Sequence, residues 1–190
     1  MTEKLDRRKQ YTRMVLKNSL ITLLKAKPLA TITVKELCSH ADINRSTFYT
    51  HYKDQYDLLN KIEEEIIADM NMYLSEHNFS EKEESIQTTQ KLLEYIVSKH
   101  DICYTLLIEN KDTSFEERVM EVARRFLIDN WMDEFDYDSG DSTYISTFIV
   151  SGSIHVIKHW LSRDMDKTPQ QIAEIINMIC YRGLDEGIMD

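Results

Sequence analysis

Glycine and proline are nearly missing from this chain: four glycines and two prolines occur among 190 residues. Hairpins and strand corners draw heavily on both residues, so a sheet-rich fold has little to turn with, while the helix formers Leu, Ile, Glu, Lys and Met abound. The class this implies is all-α. Cysteine is also scarce. Cys38, Cys103 and Cys180 are far apart, odd in number and without CxxC spacing, which argues against a disulfide framework or a zinc ribbon and suits a reducing compartment. They read as small buried hydrophobes. No apolar run approaches the roughly 18 residues that span a bilayer, and the opening Met-Thr-Glu-Lys-Leu-Asp-Arg-Arg has no signal-peptide core, so a cytoplasmic, non-membrane protein is expected. A nucleophile elbow, a phosphate-cradling glycine loop and an HExxH are likewise missing. No catalytic residue, cofactor or metal is assigned, and the chain is not expected to be an enzyme.

What is present in excess is acid: the net charge is −10. The charge is divided, however. Residues 1–53 hold eleven Lys and Arg against four Asp and Glu, a net +7, and the remaining residues sum to −17. A basic head on an acidic body suits docking one end on phosphate while the rest repels it. Residues 1–53 are therefore read as one domain and 54–190 as another, larger one.

Along the chain the punctuation is helical. Tyr11, Met14, Val15, Leu16, Leu20, Leu23 and Leu24 recur at helix spacing over about 6–26, and Pro28 ends that helix. Thr33 with Glu36 forms a capping box for a short helix ending near His40. Ala41-Asp42-Ile43 makes a tight connection, with Asp42 where a short polar side chain tolerates a left-handed backbone. Asn44 caps a third helix, 45 to about 52, and Asp54 caps a longer one to about 76, with Glu63, Glu64 and Glu65 on its wet side. Further helices are expected near 81–99, 102–110 and 115–135. The stretch 136–141 is read as an acidic loop. Residues 143–161 are apolar on more than one face, as in a helix buried in its own domain or against a partner. Thr168-Pro169-Gln170-Gln171 opens a last helix to about 184.

Two short helices joined by a tight turn, with a long helix on each side, match a helix-turn-helix whose second short helix enters the major groove. Phe48 and Tyr52 should face its core. Arg45 has the fork geometry for guanine O6 and N7, and Ser46, Thr47 and Thr50 can meet base edges or a thymine methyl. Tyr49, His51, Lys53 and Thr33 are placed for phosphate.

Those residues carry a family likeness. Ile32-Thr33-Val34-Lys35-Glu36-Leu37, Ala41-Asp42-Ile43-Asn44-Arg45-Ser46-Thr47-Phe48-Tyr49-Thr50-His51-Tyr52-Lys53-Asp54 and Asp57-Leu58-Leu59 resemble the DNA-binding domain of the TetR (tetracycline repressor) family. The likeness is close over about the first 60 residues. Beyond them the chain is similar to the family's ligand-binding and dimerisation domain, of the kind seen in Gram-positive bacteria. Asp42 replaces a frequent turn glycine, Ser46 a common small residue, and Pro28 a usual glycine. None of these changes removes a DNA-facing group.

The resemblance implies about nine helices, a homodimer on a palindromic double-stranded DNA operator, repression of transcription and an unidentified small-molecule effector. In the family the last two helices build a four-helix bundle across the dimer, which here points to Gly152, His155, His159, Trp160, Ile172, Ile175, Ile176 and Ile179. Ser151-Gly152-Ser153 permits a close helix crossing at a twofold axis or within the chain. His155 and His159 are spaced for a metal but lack a third ligand, and read as polar groups in a packed or dimer-facing helix. Tyr95, Cys103, Tyr104, Met120, Arg124, Phe126, Trp131 and Phe148 are candidates to line a sensor cavity, with plain core packing as the alternative for each. The rival to DNA reading is a helical protein-interaction adaptor that uses the acidic surface; it predicts no salt-dependent DNA binding.

Overall fold

The computed structural model describes residues 2–75, 82–109, 114–131 and 139–185, with side chains for 7–75, 84–109, 114–127 and 141–180. Among the described residues there are nine α-helices and no strand: α1 Thr2–Leu24, α2 Val34–Ala41, α3 Arg45–Tyr49, α4 Gln55–Ser75, α5 Lys82–Ser98, α6 His100–Tyr104, α7 Phe115–Trp131, α8 Ser139–Ser162 and α9 Pro169–Asp185. The all-α expectation is met. None of the described helices is long and apolar enough to cross a membrane.

The chain divides into two compact units. One comprises Met1–Ile66 with Thr105–Thr113, the other Ile67–Tyr104 with Ser114–Asp190. In the first, α1 packs on α2 and α2 on α3. The buried face of α1 is Thr12, Leu16, Ser19, Leu20, Ile21 and Leu24, whereas Tyr11 and Met14, expected on that face, are exposed. Two hydroxyl residues take inward positions because their donors or acceptors are used: Thr12 donates to the Arg8 carbonyl at 3.0 Å, and the Ser19 hydroxyl meets His40 Nδ1 at 3.1 Å. On α4 the expected apolar positions Leu58, Leu59, Ile62, Ile66 and Met70 are buried. Glu63 corrects the sequence reading, since it is buried rather than on the wet side. The run of acids along the sequence does not report how wide the covered face of α4 is.

In the second unit α5 lies along α9 and α7 along α8. Leu93, Ile96, Phe115, Val119, Ile154, Ile157, Trp160, Leu161, Ile172 and Ile176 form the core. Helix α6 ends at Tyr104 and passes into a π-helical turn, Thr105–Glu109, where a single helix was expected. Helix α8 begins at Ser139, inside the stretch read as a loop; 132–138 lie outside the described residues. Helix α9 runs through Gly183.

Candidate nucleic-acid interface

The α2–α3 pair is built by short-range caps. Thr33 has extended backbone and its Oγ1 accepts the Glu36 N–H at 3.2 Å. Lys27 holds the Glu36 carboxylate at 2.6 Å, which keeps that acid below its ordinary range, with the Thr33 backbone N–H contributing. Asp42 then adopts φ 52, ψ 44, a left-handed conformation that its short polar side chain tolerates. The Ile43 N–H returns to the Cys38 carbonyl at 2.9 Å and the Asp42 N–H to Ser39 at 3.4 Å. That pair of bonds is a Schellman end, which satisfies the last carbonyls of α2 and aims the chain into α3. Asn44 Oδ1 accepts from both the backbone N–H and the hydroxyl of Ser46 at 3.0 Å, fixing the first turn of α3. Asp54 accepts the Asp57 N–H at 2.8 Å while Asp57 accepts the Lys53 N–H at 2.9 Å, so α4 starts on a reciprocal cap.

Phe48 is completely buried and Tyr52 nearly so, with their rings 5.7 Å apart. This pair anchors α3 and decides which side chains point outward. Arg45, Ser46, Tyr49, Thr50, Lys53 and Thr33 are exposed, and Thr47 and His51 are half-buried. The Tyr49 ring stands edge-on to Phe48 at 5.4 Å, so a large, partly apolar side chain rests on the anchor while staying exposed. The Thr50 hydroxyl is taken by the Thr47 carbonyl at 2.7 Å. Helix α3 is shorter than expected, because the chain leaves α geometry after Thr50, with the His51 and Tyr52 N–H groups both returning to Phe48.

The basic character of this unit is not uniform. Lys27 pairs with Glu36 and Lys17 with Glu65. Lys9 and Arg13 on α1 instead lie close enough to His51 for their charges, after burial, to lower its proton affinity. Residue typing had not placed these two bases at the site; their four-residue spacing within the basic head was the available signal.

In the second unit, a groove of about 520 Å³ runs between α8 and α9, lined by Tyr144, Phe148, Gly152, Val156, Ile176 and Ile179 among others. Tyr144 is 78% and Phe148 75% exposed. A Cβ added to Gly152 would meet nothing within 4 Å. His155 and His159 are exposed, with His155 Nδ1 held to the Ser151 carbonyl at 2.8 Å. Trp160 is buried and donates to the Lys167 carbonyl at 2.9 Å; Ile172 and Ile176 are buried, Ile175 half-buried and Ile179 exposed.

Of the residues read as cavity candidates, Tyr95 is buried, donates to Asp69 at 2.7 Å and has its ring centroid 5.2 Å from that of Tyr73, tilted by 47°. Burial and then the Asp69 acceptor push its phenol far above the ordinary range. Cys103 lies close by, its thiol pushed up to about 12 by burial. Tyr104, Met120, Arg124 and Phe126 are half-buried. Arg124 Nη1 pairs with Glu121 at 3.1 Å while its Nε is enclosed without an acceptor. Phe148 is on the α8 surface, and the Trp131 side chain is outside the described residues. Among the described residues no group of three metal-ligating side chains converges.

Comparison with known proteins agrees with this architecture. A family model for a TetR transcriptional regulator C-terminal region matches residues 83–181, just over half of the chain. No curated protein sequence matches it. Among solved structures, a TetR transcriptional regulator from Streptococcus agalactiae superposes with a TM-score of 0.68 at 21% identity, covering 95% of this chain and 99% of that one. NalD from Pseudomonas aeruginosa, the secondary repressor of the MexAB-OprM multidrug efflux pump, gives 0.68 at 15% identity over 94% and 98%. FadR from Bacillus subtilis, in complex with stearoyl-CoA, gives 0.68 at 12% identity over 90% and 98%. At these identities the structures speak for the fold, and the family model speaks for kinship: the chain belongs to the TetR family of DNA-binding transcriptional regulators.

Proposed function

We propose that this regulator is a ligand-responsive repressor that binds a near-palindromic operator as a homodimer in the cytoplasm, residues 1–53 reading DNA and 54–190 dimerising and sensing. The observation that carries the DNA reading is α3 itself. Arg45, Ser46, Tyr49 and Thr50 stand exposed on a helix anchored by Phe48 and Tyr52, with Lys53 and Thr33 at its margins. Guanidinium and hydroxyl groups of this kind read base edges and phosphates, respectively and in combination.

Dimerisation is supported by the bare apolar face of α8, where Tyr144 and Phe148 are exposed and Gly152 leaves room for another backbone. A twofold axis there makes the contact isologous, and a twofold protein calls for a palindromic site with half-sites about one helical turn apart. Effector sensing is proposed for the second unit, with Tyr95, Cys103, Tyr104, Met120 and Arg124 as candidate contacts. An effector that prefers one dimer geometry would change operator affinity by a coupling free energy of about 1–3 kcal/mol. NalD, a repressor, and FadR, solved with stearoyl-CoA, support the sign and the existence of an effector.

The test is binding of the full-length protein to fragments of its source genome at two salt concentrations, beside Arg45→Ala. Specific, salt-sensitive binding that loses about 1–3 kcal/mol and one base preference in the variant is expected. Binding to no fragment at either salt concentration sinks the proposal in favour of a protein-interaction role.

A further inference from the structure

Among the described residues two buried side-chain atoms have no hydrogen-bond partner, Glu84 Oε2 on α5 and Arg124 Nε on α7. They are not equivalent. An acceptor oxygen with spare lone pairs is tolerated more readily than an N–H with nothing to donate to. A guanidinium also keeps its charge and its donors at any physiological pH, and stranding a charged donor costs more than stranding a neutral one. Arg124 is therefore the atom group that calls for a partner. Glu116, Met120 and Arg124 succeed one another at steps of four along one side of α7, and Glu116 is tied to Lys158 of α8 at 2.6 Å. The Arg124 side chain is 33% exposed, so Nε is enclosed while another part of the side chain is open to solvent.

Glu121 bonds Arg124 Nη1 at 3.1 Å and also holds Arg125 at 3.4 Å. One carboxylate thus lies against two arginines, which leaves one positive charge over. Nη1 is not on the edge of the guanidinium that carries Nε and Nη2. That edge is the fork on which a carboxylate or phosphate sits by two parallel N–H···O bonds, and the Glu121 contact does not occupy it. An oxyanion there gives the enclosed Nε its acceptor and balances the surplus charge. We infer that Arg124 anchors the effector of the second unit and that this effector is an anion carrying a carboxylate or phosphate group. The inference rests on the sensing role proposed above and narrows it to a ligand class. Residues 54–190 sum to −17, so an anion bound in this unit is held by directed bonds and not by the general field around it.

The experiment uses the full-length protein and a duplex that it selects from a random-sequence pool. Thermal melts are compared in chloride, acetate and inorganic phosphate at matched ionic strength. Salting effects common to all proteins act on every variant alike, so the readout is the anion-specific rise of wild type over Arg124→Met, which keeps the apolar stem and loses the fork. Wild type should melt higher in acetate or in phosphate than in chloride; which of the two raises it more names the head group. Arg124→Met should lose that rise, yet melt at least as high as wild type in chloride, because the unmet donor is gone and the exposed bridge to Glu121 contributes little. Arg124→Lys, a point charge without a fork, should keep only part of the rise, and Arg125→Gln, 72% exposed, should keep all of it. An equal rise in wild type and Arg124→Met, no rise in either, or an Arg124→Met protein that melts several degrees lower in chloride overturns the anion site. A rise that depends on Arg124 while duplex affinity, measured in the same buffers, responds to the anion no differently in wild type and in Arg124→Met overturns its role as the effector anchor. A wild-type protein that binds no duplex in any buffer sinks the DNA reading instead, and the melts still decide the site.

Discussion

The Ser85 hydroxyl donates to the Asn177 side-chain oxygen at 2.6 Å across 92 positions of sequence. The Asn177 amide donates in turn to Thr89 Oγ1 at 3.0 Å and to the Ala173 carbonyl at 2.9 Å. Both Ser85 and Asn177 are buried to within 1% of complete, so this satisfied network fixes α5 against α9 in one register.

Asn177→Ala should therefore destabilise the protein by about 1–3 kcal/mol, the cost of stranding the buried Ser85 hydroxyl, beyond what its loss of volume implies. Adding Ser85→Ala should cost less than the sum of the two single changes. Denaturant midpoints of the two single variants and the double variant measure this. Strict additivity would mean the hydrogen bond contributes no coupling.

The left-handed Asp42 gives a second prediction. An L side chain at φ 52 is uphill by about 1–2 kcal/mol, less for Asp because its short polar group bonds locally. Asp42→Gly should leave the melting temperature unchanged or slightly higher. Asp42→Val should lower it by several degrees, since about 1 kcal/mol corresponds to 2–4 °C in a chain of this size. Equal melting temperatures for Gly and Val would show that the turn relaxes out of that conformation.

The three thiols should be slow towards disulfide reagents in the native protein. All are buried, and burial raises Cys103 to about 12 and Cys180 to about 11, so little thiolate is present at neutral pH. The sign for stability follows. A thiol with raised folded value contributes stability fully below its unfolded value, near 9, and that contribution is lost as pH climbs from there towards 12. Native-state labelling at pH 8 should lag urea-unfolded labelling by orders of magnitude, with Cys103 the slowest; a fast-reacting Cys103 contradicts its burial.

The helix-turn-helix was legible in the sequence because its determinants are short-range. Thr33, Asp42, Asn44 and Asp54 act on backbone within a few residues, and such caps are readable from residue type alone. Features set by distant packing were not. Glu63 is buried although its neighbours in sequence are acids, and Trp160, assigned to a partner-facing set, is buried within its own unit against the Lys167 carbonyl. The start of α8 at Ser139 and the π turn after Tyr104 likewise override local turn and helix preferences. Lys9 and Arg13 carry no motif; only the fold brings their charges to His51.

Phe148 provides the sharpest test of the proposed dimer. A helix as apolar as α8 has two faces to bury, and one of them, Val150, Ile154, Ile157 and Leu161, is covered by its own chain. The other still shows Tyr144 and Phe148 to water. Fully covering one such aromatic ring is worth about 1.5–3 kcal/mol, and an isologous contact counts it twice. Phe148→Glu should leave helix content and thermal unfolding of the monomer nearly intact, because the residue contributes little to its own core, and should shift the sedimentation coefficient from dimer to monomer. Operator affinity should fall with it, since two half-sites are then bound by separate molecules rather than one. A variant that sediments as a dimer and binds its operator undiminished would place the subunit interface on another face of the protein.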